Sequence, residues 1–283
     1  MLIAQISDLH LGFVADDPQE MNAVRLDAVI DRILSLPRQP DLMLATGDLV
    51  ERGDLPSYRR LRDKLSRVPF PVHYALGNHD LRAAFLDIFP ETPTAEGFVQ
   101  YALDAGPIRL LVLDTLEEGR HGGSFCEARA AWLVERLEEA PNRPTLVVLH
   151  HPPIPTGIGW MTTDPREPWA ERLASAIQGR TNVLGLVCGH VHRPILAPFA
   201  GVSVAVCPST APAVEIGLEP IAPDVLDGRP MIVNTAPAYA LHLWEGDRLV
   251  THYDRAERAE TIMGYDESMR AIVRKVFAER PKG

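Results

Sequence analysis

The sequence has few cysteines and no long apolar run. Its 283 residues include only 3 cysteines, and no two of them form a C-x-x-C pair. Such scattered cysteines exclude a disulfide framework and favour a reducing compartment. No stretch approaches the roughly 18 consecutive apolar residues typical of a membrane-spanning helix, and strand-like residues begin at Leu2, which leaves no room for a signal peptide. We therefore expect a cytoplasmic protein with no membrane partner.

The sequence also lacks an excess of basic residues. Lys and Arg number 28 against 38 Asp and Glu, which gives a formal net charge of −10. This balance argues against polymeric nucleic acid as a partner, because such binding requires clustered cations. With 46% hydrophobic residues the chain can bury a large core. No internal repeat, low-complexity tract or linker interrupts it, so we predict one domain over residues 1–283.

Short apolar runs recur along the chain, and each has the length of a buried strand. Helically spaced apolar residues separate the first run from the second and the second from the third. This alternation indicates an α/β protein with a mainly parallel sheet, in which chemistry collects beyond the carboxyl ends of the strands. The runs lie at 2–6, 42–46, 72–76, 145–149 and 183–188.

Polar motifs follow all five runs directly. In chain order they are S-D-L-H, G-D, G-N-H-D, H-H-P-P and G-H-V-H, and they contain six of the 10 histidines. Two of them hold ligand-type residues at i and i+2, which in extended backbone point to the same side and can serve one ion. A single His or Asp at a strand end is usually a cap or turn residue, but five such motifs at equivalent positions indicate a functional site.

The residue types of these motifs indicate a metal centre. Asp, Asn and His without Cys form an oxygen and nitrogen donor set, which suits Mn, Fe, Co or Zn. The candidates exceed what one ion needs. Two ions roughly 3.5 to 4 Å apart, bridged by a carboxylate and a hydroxide, would use them and would clamp both oxygens of an in-line displacement at phosphorus. Neither a P-loop nor a G-x-S-x-G motif occurs.

The series of motifs resembles that of the calcineurin-like metallophosphoesterases, over residues 8 to 192 and in the same order. Within that family the sequence is most similar to bacterial class III cyclic-nucleotide phosphodiesterases and to binuclear glycerophosphodiesterases. The resemblance implies a four-layer αββα sandwich with two mixed β-sheets. It also implies two divalent or mixed-valence ions and attack by a metal-bridging hydroxide.

The resemblance assigns roles to individual residues. His150 is the ligand of its motif because the family places a proline two residues later, and His151 then lines the pocket or supports a ligand. His79 would bind the phosphoryl group or protonate the leaving oxygen, with Asp80 orienting it. Asp48 would bridge the two ions. One ion would be held by Asp8, His10 and His192, and the other by Asn78, His150 and His190.

The expected substrate is a small phosphodiester, with 3',5'-cyclic nucleotides favoured. Two divalent ions held by two carboxylates and a hydroxide retain a small positive charge, which matches a monoanionic diester. Arg193 could supply the further cation that a dianionic monoester requires. Glycerophosphodiesterase, phosphomonoesterase and nucleotide pyrophosphatase remain alternatives. The intact ligand positions argue against a non-catalytic scaffold.

Two segments are candidates for specificity. The loop at 156–169 carries Trp160 and could stack on a leaving group or simply pack on the body. The proline-rich excursion at 208–230 could cap the site or meet another subunit. It contains Glu215 and no histidine where certain relatives place one, which puts glycerophosphodiester specificity in doubt. A hairpin at 238–244 and 248–253 and a helix ending at 278 complete the chain, and that helix covers the body or a partner in a homo-oligomer.

Overall fold

Two β-sheets lie at the centre of the computed structural model, which describes residues 1–281. The strands are β1 (Leu2–Ile6), β2 (Leu42–Thr46), β3 (Val72–Ala75), β4 (Tyr101–Ala105), β5 (Ile108–Val112), β6 (Thr145–Val148), β7 (Val183–Cys188), β8 (Ile195–Phe199), β9 (Val202–Val206), β10 (Ala213–Val214), β11 (Ile232–Val233), β12 (Ala238–Glu245) and β13 (Arg248–Arg255). The helices are α1 (Met21–Leu34), α2 (Leu55–Leu65), α3 (Arg82–Ile88), α4 (Glu127–Glu139), α5 (Pro168–Ile177) and α6 (Glu267–Ala278).

Both large sheets are mixed. The first has the order β13-β12-β1-β2-β3, with β1, β2 and β3 parallel and β12 antiparallel to its two neighbours. The second has the order β4-β5-β6-β7-β9-β8, with a parallel centre from β5 to β9 and antiparallel edges. The predicted αββα sandwich with two mixed sheets is confirmed.

Two hydrophobic clusters show how the layers pack. Successive residues of β6 belong to different clusters, because side chains along a strand point alternately to its two faces. Leu146 and Val148 join a cluster that contains β1, β2 and helices α1 to α3, while Val147 joins one that contains α4 and α5. The second sheet therefore packs on the first through one face and on helices through the other.

One sequence expectation about the sheets is wrong. The β-α-β alternation indicated one mainly parallel sheet for the five apolar runs, whereas the first three form β1 to β3 of the first sheet and the last two form β6 and β7 of the second. The physical reason is that a strand buried on both faces is apolar throughout. Its composition therefore carries no information about which sheet it joins.

The carboxyl ends of β1 and β7 meet where the two sheets face each other. Gln5 Nε2 in β1 donates a hydrogen bond to the carbonyl of Cys188 at the end of β7, at 3.0 Å. Just beyond, the backbone N–H of His190 donates to Asp8 Oδ1 at 2.9 Å. Loops from both sheets therefore converge on one region.

The C-terminal part adds a hairpin and a helix. Strands β12 and β13 pair antiparallel, and β12 extends the first sheet beside β1. His242 is buried in β12 and its Nε2 donates to Gln5 Oε1 at 2.9 Å, a structural contact. None of the residues of α6 is buried, so its apolar face is not covered by the rest of the described chain. Within residues 1–281 no helix has both the length and the apolar character needed to cross a bilayer.

Candidate metal centre

The loops after β1, β2, β3, β6 and β7 bring the predicted ligands together. Four sets of three side chains each place possible ligand atoms within 4.8 Å of one another. Asp8 and Asp48 each belong to two sets, so the two carboxylates lie between groups of imidazoles. The sets are Asp8, His10 and His192; Asp8, Asp48 and His150; His10, Asp48 and His79; and His150, His151 and His190.

Many of these residues have an unusual backbone conformation. Five non-glycine residues of the motifs are left-handed, with φ between 47° and 73°: Asp8, His10, Asp48, His190 and His192. Such residues are uncommon, and they cluster where surrounding structure enforces them. The i, i+2 pairs were expected to share a side because their backbone is extended. That reason is wrong, because tight left-handed turns direct these side chains.

Hydrogen bonds orient four of the imidazole rings. In each ring Nδ1 contacts an oxygen that can only accept, so Nδ1 carries a proton, and the neutral form of the ring has its lone pair on Nε2. The four contacts are His10 with Glu51 Oε2 at 2.8 Å, His79 with the Glu51 carbonyl at 2.9 Å, His150 with the Thr46 carbonyl at 2.7 Å and His192 with the Pro212 carbonyl at 2.8 Å.

The nitrogen and oxygen atoms that these hydrogen bonds leave free fit a metal centre. His10 Nε2 and His192 Nε2 lie 3.1 Å apart. At this distance two lone pairs repel each other, and a cation bound by both nitrogens would remove the repulsion. His150 Nε2 lies 3.3 Å from Asp48 Oδ2. Buried polar atoms normally have partners, yet four at this site have none in the described chain: Asn78 Oδ1, His150 Nε2, His151 Nε2 and His190 Nδ1. Oxygen and nitrogen donors of this kind suit the expected divalent ions.

Electrostatics favour the metal-binding charge state at two of the proposed ligands, Asp48 and His190. Burial opposes ionisation of Asp48, but the adjacent His150 holds the pKa of this carboxyl well below its usual range. Burial likewise acts against a charged His150, while Asp48 raises the pKa of this ring to about 9. Burial raises the pKa of Asp8 to about 6 and keeps the pKa of His190 well below its usual range. Asp48 therefore presents the ionised form that a cation needs, and His190 the neutral one.

His150 and His151 occupy different environments. His150 faces Asp48, as described, and its geometry favours the ligand role. His151 lies behind it, with Nδ1 2.8 Å from Thr115 Oγ1 and its ring 4.8 Å from that of His190. It is 1% exposed and is not among the residues that line the adjoining cavity. The structure thus places His151 behind His150 and outside the lining of this cavity.

Asp80 does not orient His79 in the expected way. Its Oδ2 accepts hydrogen bonds from the backbone N–H groups of Gly77 and Leu49, at 2.9 and 3.3 Å. Its Oδ1 accepts from the Tyr58 hydroxyl at 2.9 Å. Asp80 therefore ties together the loops that carry Asp48 and Asn78, and the Glu51 carbonyl orients the His79 ring instead.

Arg193 also has a different position from the one expected. Its guanidinium contacts the Val214 carbonyl and Glu215, with 3.4 Å between Nη2 and Glu215 Oε2. It does not line the cavity beside the metal ligands. Arg193 follows His192 directly, but His192 has a left-handed backbone. The two side chains therefore point in different directions. Glu215, noted for its place in the excursion, serves to hold this arginine.

Sequence reasoning missed two residues of the site. Glu51 contacts His10 through its side chain and His79 through its carbonyl, and its only signal was its position three residues after Asp48. His121 Nδ1 lies 3.4 Å from Asn78 Nδ2, and its ring is 4.8 Å from that of His190. It sits in a loop well beyond the end of β5, so the strand-end pattern could not find it.

A cavity of about 380 Å³ opens beside the ligands, within the usual range for small-molecule sites. His79 and His121 line it together with residues from both predicted specificity segments: Trp160 and Met161 from one, and Ala211, Pro212 and Val214 from the other. These segments also approach each other closely, since a Cβ added at Gly159 would lie 3.2 Å from Ile221. The excursion is mostly irregular, as predicted, with β10 paired to β11.

Glu51 gives a direct test of the site. We expect Glu51→Ala to weaken binding of Mn²⁺ by about 10- to 100-fold, the usual effect of losing a carboxylate that orients a ligating histidine. Glu51→Gln should lose less, because its amide oxygen can still accept from His10 Nδ1. Calorimetric titration of the metal-stripped protein measures both. Equal affinity in the Ala variant and the parent would contradict this role.

Comparison with known proteins gives the class of the chain. Residues 1–194 match the model of the calcineurin-like phosphoesterase family. A probable cyclic nucleotide phosphodiesterase of Rhodopseudomonas palustris is 36% identical over 247 residues, which cover 83% of this chain and 84% of that protein. A probable glycerophosphodiester phosphodiesterase of Arcobacter nitrofigilis is 28% identical over 258 residues, covering 89% and 92%.

A solved structure has the same fold. A dimetal phosphatase from Danio rerio superposes with a TM-score of 0.66 at 14% identity, covering 91% of this chain and 96% of that one. The chain therefore belongs to the calcineurin-like phosphoesterases, a family that uses divalent metal ions. The resemblance stated from the motifs is confirmed.

Proposed function

We propose that this chain is a binuclear metal-dependent phosphodiesterase that hydrolyses small phosphodiesters, with 3',5'-cyclic nucleotides as the favoured substrates. The observation that carries the proposal is that carboxylates and imidazoles converge beside one cavity, together with buried oxygen and nitrogen atoms that have no hydrogen-bond partner among the described residues. The proposed ligands are Asp8, His10, Asp48, Asn78, His150, His190 and His192. Two bound divalent ions would supply a nucleophile at neutral pH and neutralise charge at phosphorus.

His79 is the proposed contact to the phosphoryl group or the leaving oxygen. Its side chain is 33% exposed, whereas those of His10, His150 and His192 are 10%, 0% and 12% exposed. The bond from Nδ1 to the Glu51 carbonyl fixes the ring, so Nε2 is the atom available to substrate. This difference in exposure separates a substrate-contacting histidine from the ligands.

The side chains that line the cavity support diesters over monoesters as substrates. No Lys or Arg is among the described residues that line the cavity, and Arg193 contacts Glu215 elsewhere. A dianionic monoester would therefore depend on the metal ions alone, while a monoanionic diester needs no further cation. The relatives named as cyclic nucleotide and glycerophosphodiester phosphodiesterases support the same reaction class.

A substrate panel on protein reconstituted with Mn²⁺, Zn²⁺ or Co²⁺ tests the proposal. The panel needs a cyclic nucleotide, glycerophosphoethanolamine, an aryl phosphodiester and the matching aryl phosphomonoester. We expect a higher kcat/KM for the diesters, with the cyclic nucleotide above the glycerol diester, and about two ions per chain by metal analysis. A strong preference for the monoester would overturn the diesterase assignment, and a glycerol diester preferred over the cyclic nucleotide would shift the substrate to the alternative.

A further inference from the structure

The cavity beside the metal ligands has an apolar wall that the chemistry at phosphorus does not explain. Phe13, Met21, Trp160 and Ile232 line it, and they come from three segments far apart in the sequence. Phe13 is 56% exposed and Ile232 is 53% exposed. Side chains this exposed contribute little to the core, so their convergence on one cavity points to a ligand.

One buried acceptor lies in this wall. Asn22 lines the cavity and is 3% exposed. Its Nδ2 donates to the His10 carbonyl at 3.0 Å, and since a carbonyl can only accept, this bond fixes which end of the amide is oxygen. Asn22 Oδ1 is buried and has no partner among the described residues. An unpaired buried acceptor is unfavourable unless a ligand supplies a donor.

We propose that this cavity binds the alcohol portion of the phosphodiester, and that it selects an aromatic or apolar group that carries a hydrogen-bond donor. The apolar wall packs against the apolar body of this group, and Asn22 Oδ1 accepts a hydrogen bond from the donor that the group carries. This inference rests on the proposed function. A nucleoside has both features, whereas the glycerol of a glycerophosphodiester has no apolar body and would place its two free hydroxyls against apolar side chains.

The wall is tested with Phe13→Ala and Ile232→Ala, which remove exposed side chains and should not disturb folding. Leu196→Ala is the matched control, because Leu196 is 72% exposed and lies outside the cavity. The probes are 3',5'-cyclic AMP, bis(p-nitrophenyl) phosphate and glycerophosphoethanolamine. In each wall variant we expect kcat/KM for the first two to fall about 10-fold relative to the glycerol diester. An unchanged ratio, or one changed equally by the control, would overturn the apolar subsite.

Asn22 is tested by comparing a substrate that has donors with one that has none. Asn22→Leu also removes the bond to the His10 carbonyl, so a loss common to all substrates reports damage near the metal ligands. Bis(p-nitrophenyl) phosphate has no donor and measures that common loss. Cyclic AMP should lose a further roughly 3- to 10-fold, the usual effect of one hydrogen bond. Equal losses for the two substrates would remove Asn22 from substrate recognition.

A binding measurement separates this inference from the proposed function. Calorimetry on the metal-loaded protein would compare inorganic phosphate with the phosphonate analogue of AMP, whose carbon–phosphorus bond a phosphoesterase cannot hydrolyse. Ile232→Ala should weaken binding of the analogue about 10-fold and leave phosphate binding unchanged. If the parent protein hydrolyses only monoesters, the diesterase assignment fails while this difference persists. If diesters are hydrolysed and the analogue binds both proteins equally, the subsite is wrong and the reaction class stands.

Discussion

Asp48→Asn is expected to lower kcat/KM for a cyclic nucleotide or an aryl diester by more than about 100-fold, beyond the usual loss for a residue that only supports a ligand. Asp48, like Asp8, belongs to two ligand sets, and its Oδ2 lies 3.3 Å from His150 Nε2 and 3.7 Å from His10 Nε2. Removing its charge weakens the attraction for both proposed ions at once. Bound metal should therefore fall from about two ions per chain to one or fewer, as measured by elemental analysis.

Asp63→Asn is the control for this experiment. Asp63 is an exposed carboxylate of α2, so its substitution makes the same change of net charge without touching the site. It should keep both activity and metal content. An Asp48→Asn protein with full activity and two ions would contradict the ligand assignment, whatever the substrate.

The proposed ligand positions can be predicted from the sequence because the chemistry of such a centre restricts them to a few residue types placed directly after strands. Asp8, Asp48, Asn78 and His190 fit that pattern. Glu51 and His121 do not, because an acidic residue in a loop and a histidine far from a strand end look like ordinary surface positions. Their roles arise from three-dimensional proximity alone.

The sequence predicted least well which way each side chain points. Asp80 was expected to orient His79 and Arg193 to meet substrate, yet the first holds two loops together and the second contacts Glu215. Asn78 and His79 form a turn and His192 has a left-handed backbone, and because side chains that follow one another in such turns diverge, adjacency in sequence does not imply a shared target. The fold shows the same limit: apolar composition identified the strands but not which sheet each joins, and two sheets were implied by the family resemblance alone.

Gly77→Ala is expected to remove activity nearly as completely as the loss of Asp48. A Cβ at Gly77 would lie 2.5 Å from the Asp48 backbone nitrogen and 2.7 Å from His150 Nε2, and closer still to Asp48 Oδ1. Backbone and buried ring atoms cannot yield as a flexible side chain could, so the methyl group must displace the carboxylate or the imidazole from the proposed centre. We expect loss of at least one bound ion, measured by elemental analysis, and kcat/KM reduced by more than about 100-fold, since a ligand itself is displaced.

Gly217→Ala is the matched control for this clash, because a Cβ there meets no atom within 4 Å. It should keep activity, metal content and the far-ultraviolet circular dichroism spectrum. Overpacking at Gly77 costs about 1 to 3 kcal/mol of folding free energy, so the spectrum and a urea titration establish how much folded protein each assay contains. If folded Gly77→Ala protein holds two ions and turns over normally, the strand ends are not packed around a metal centre as the structure places them.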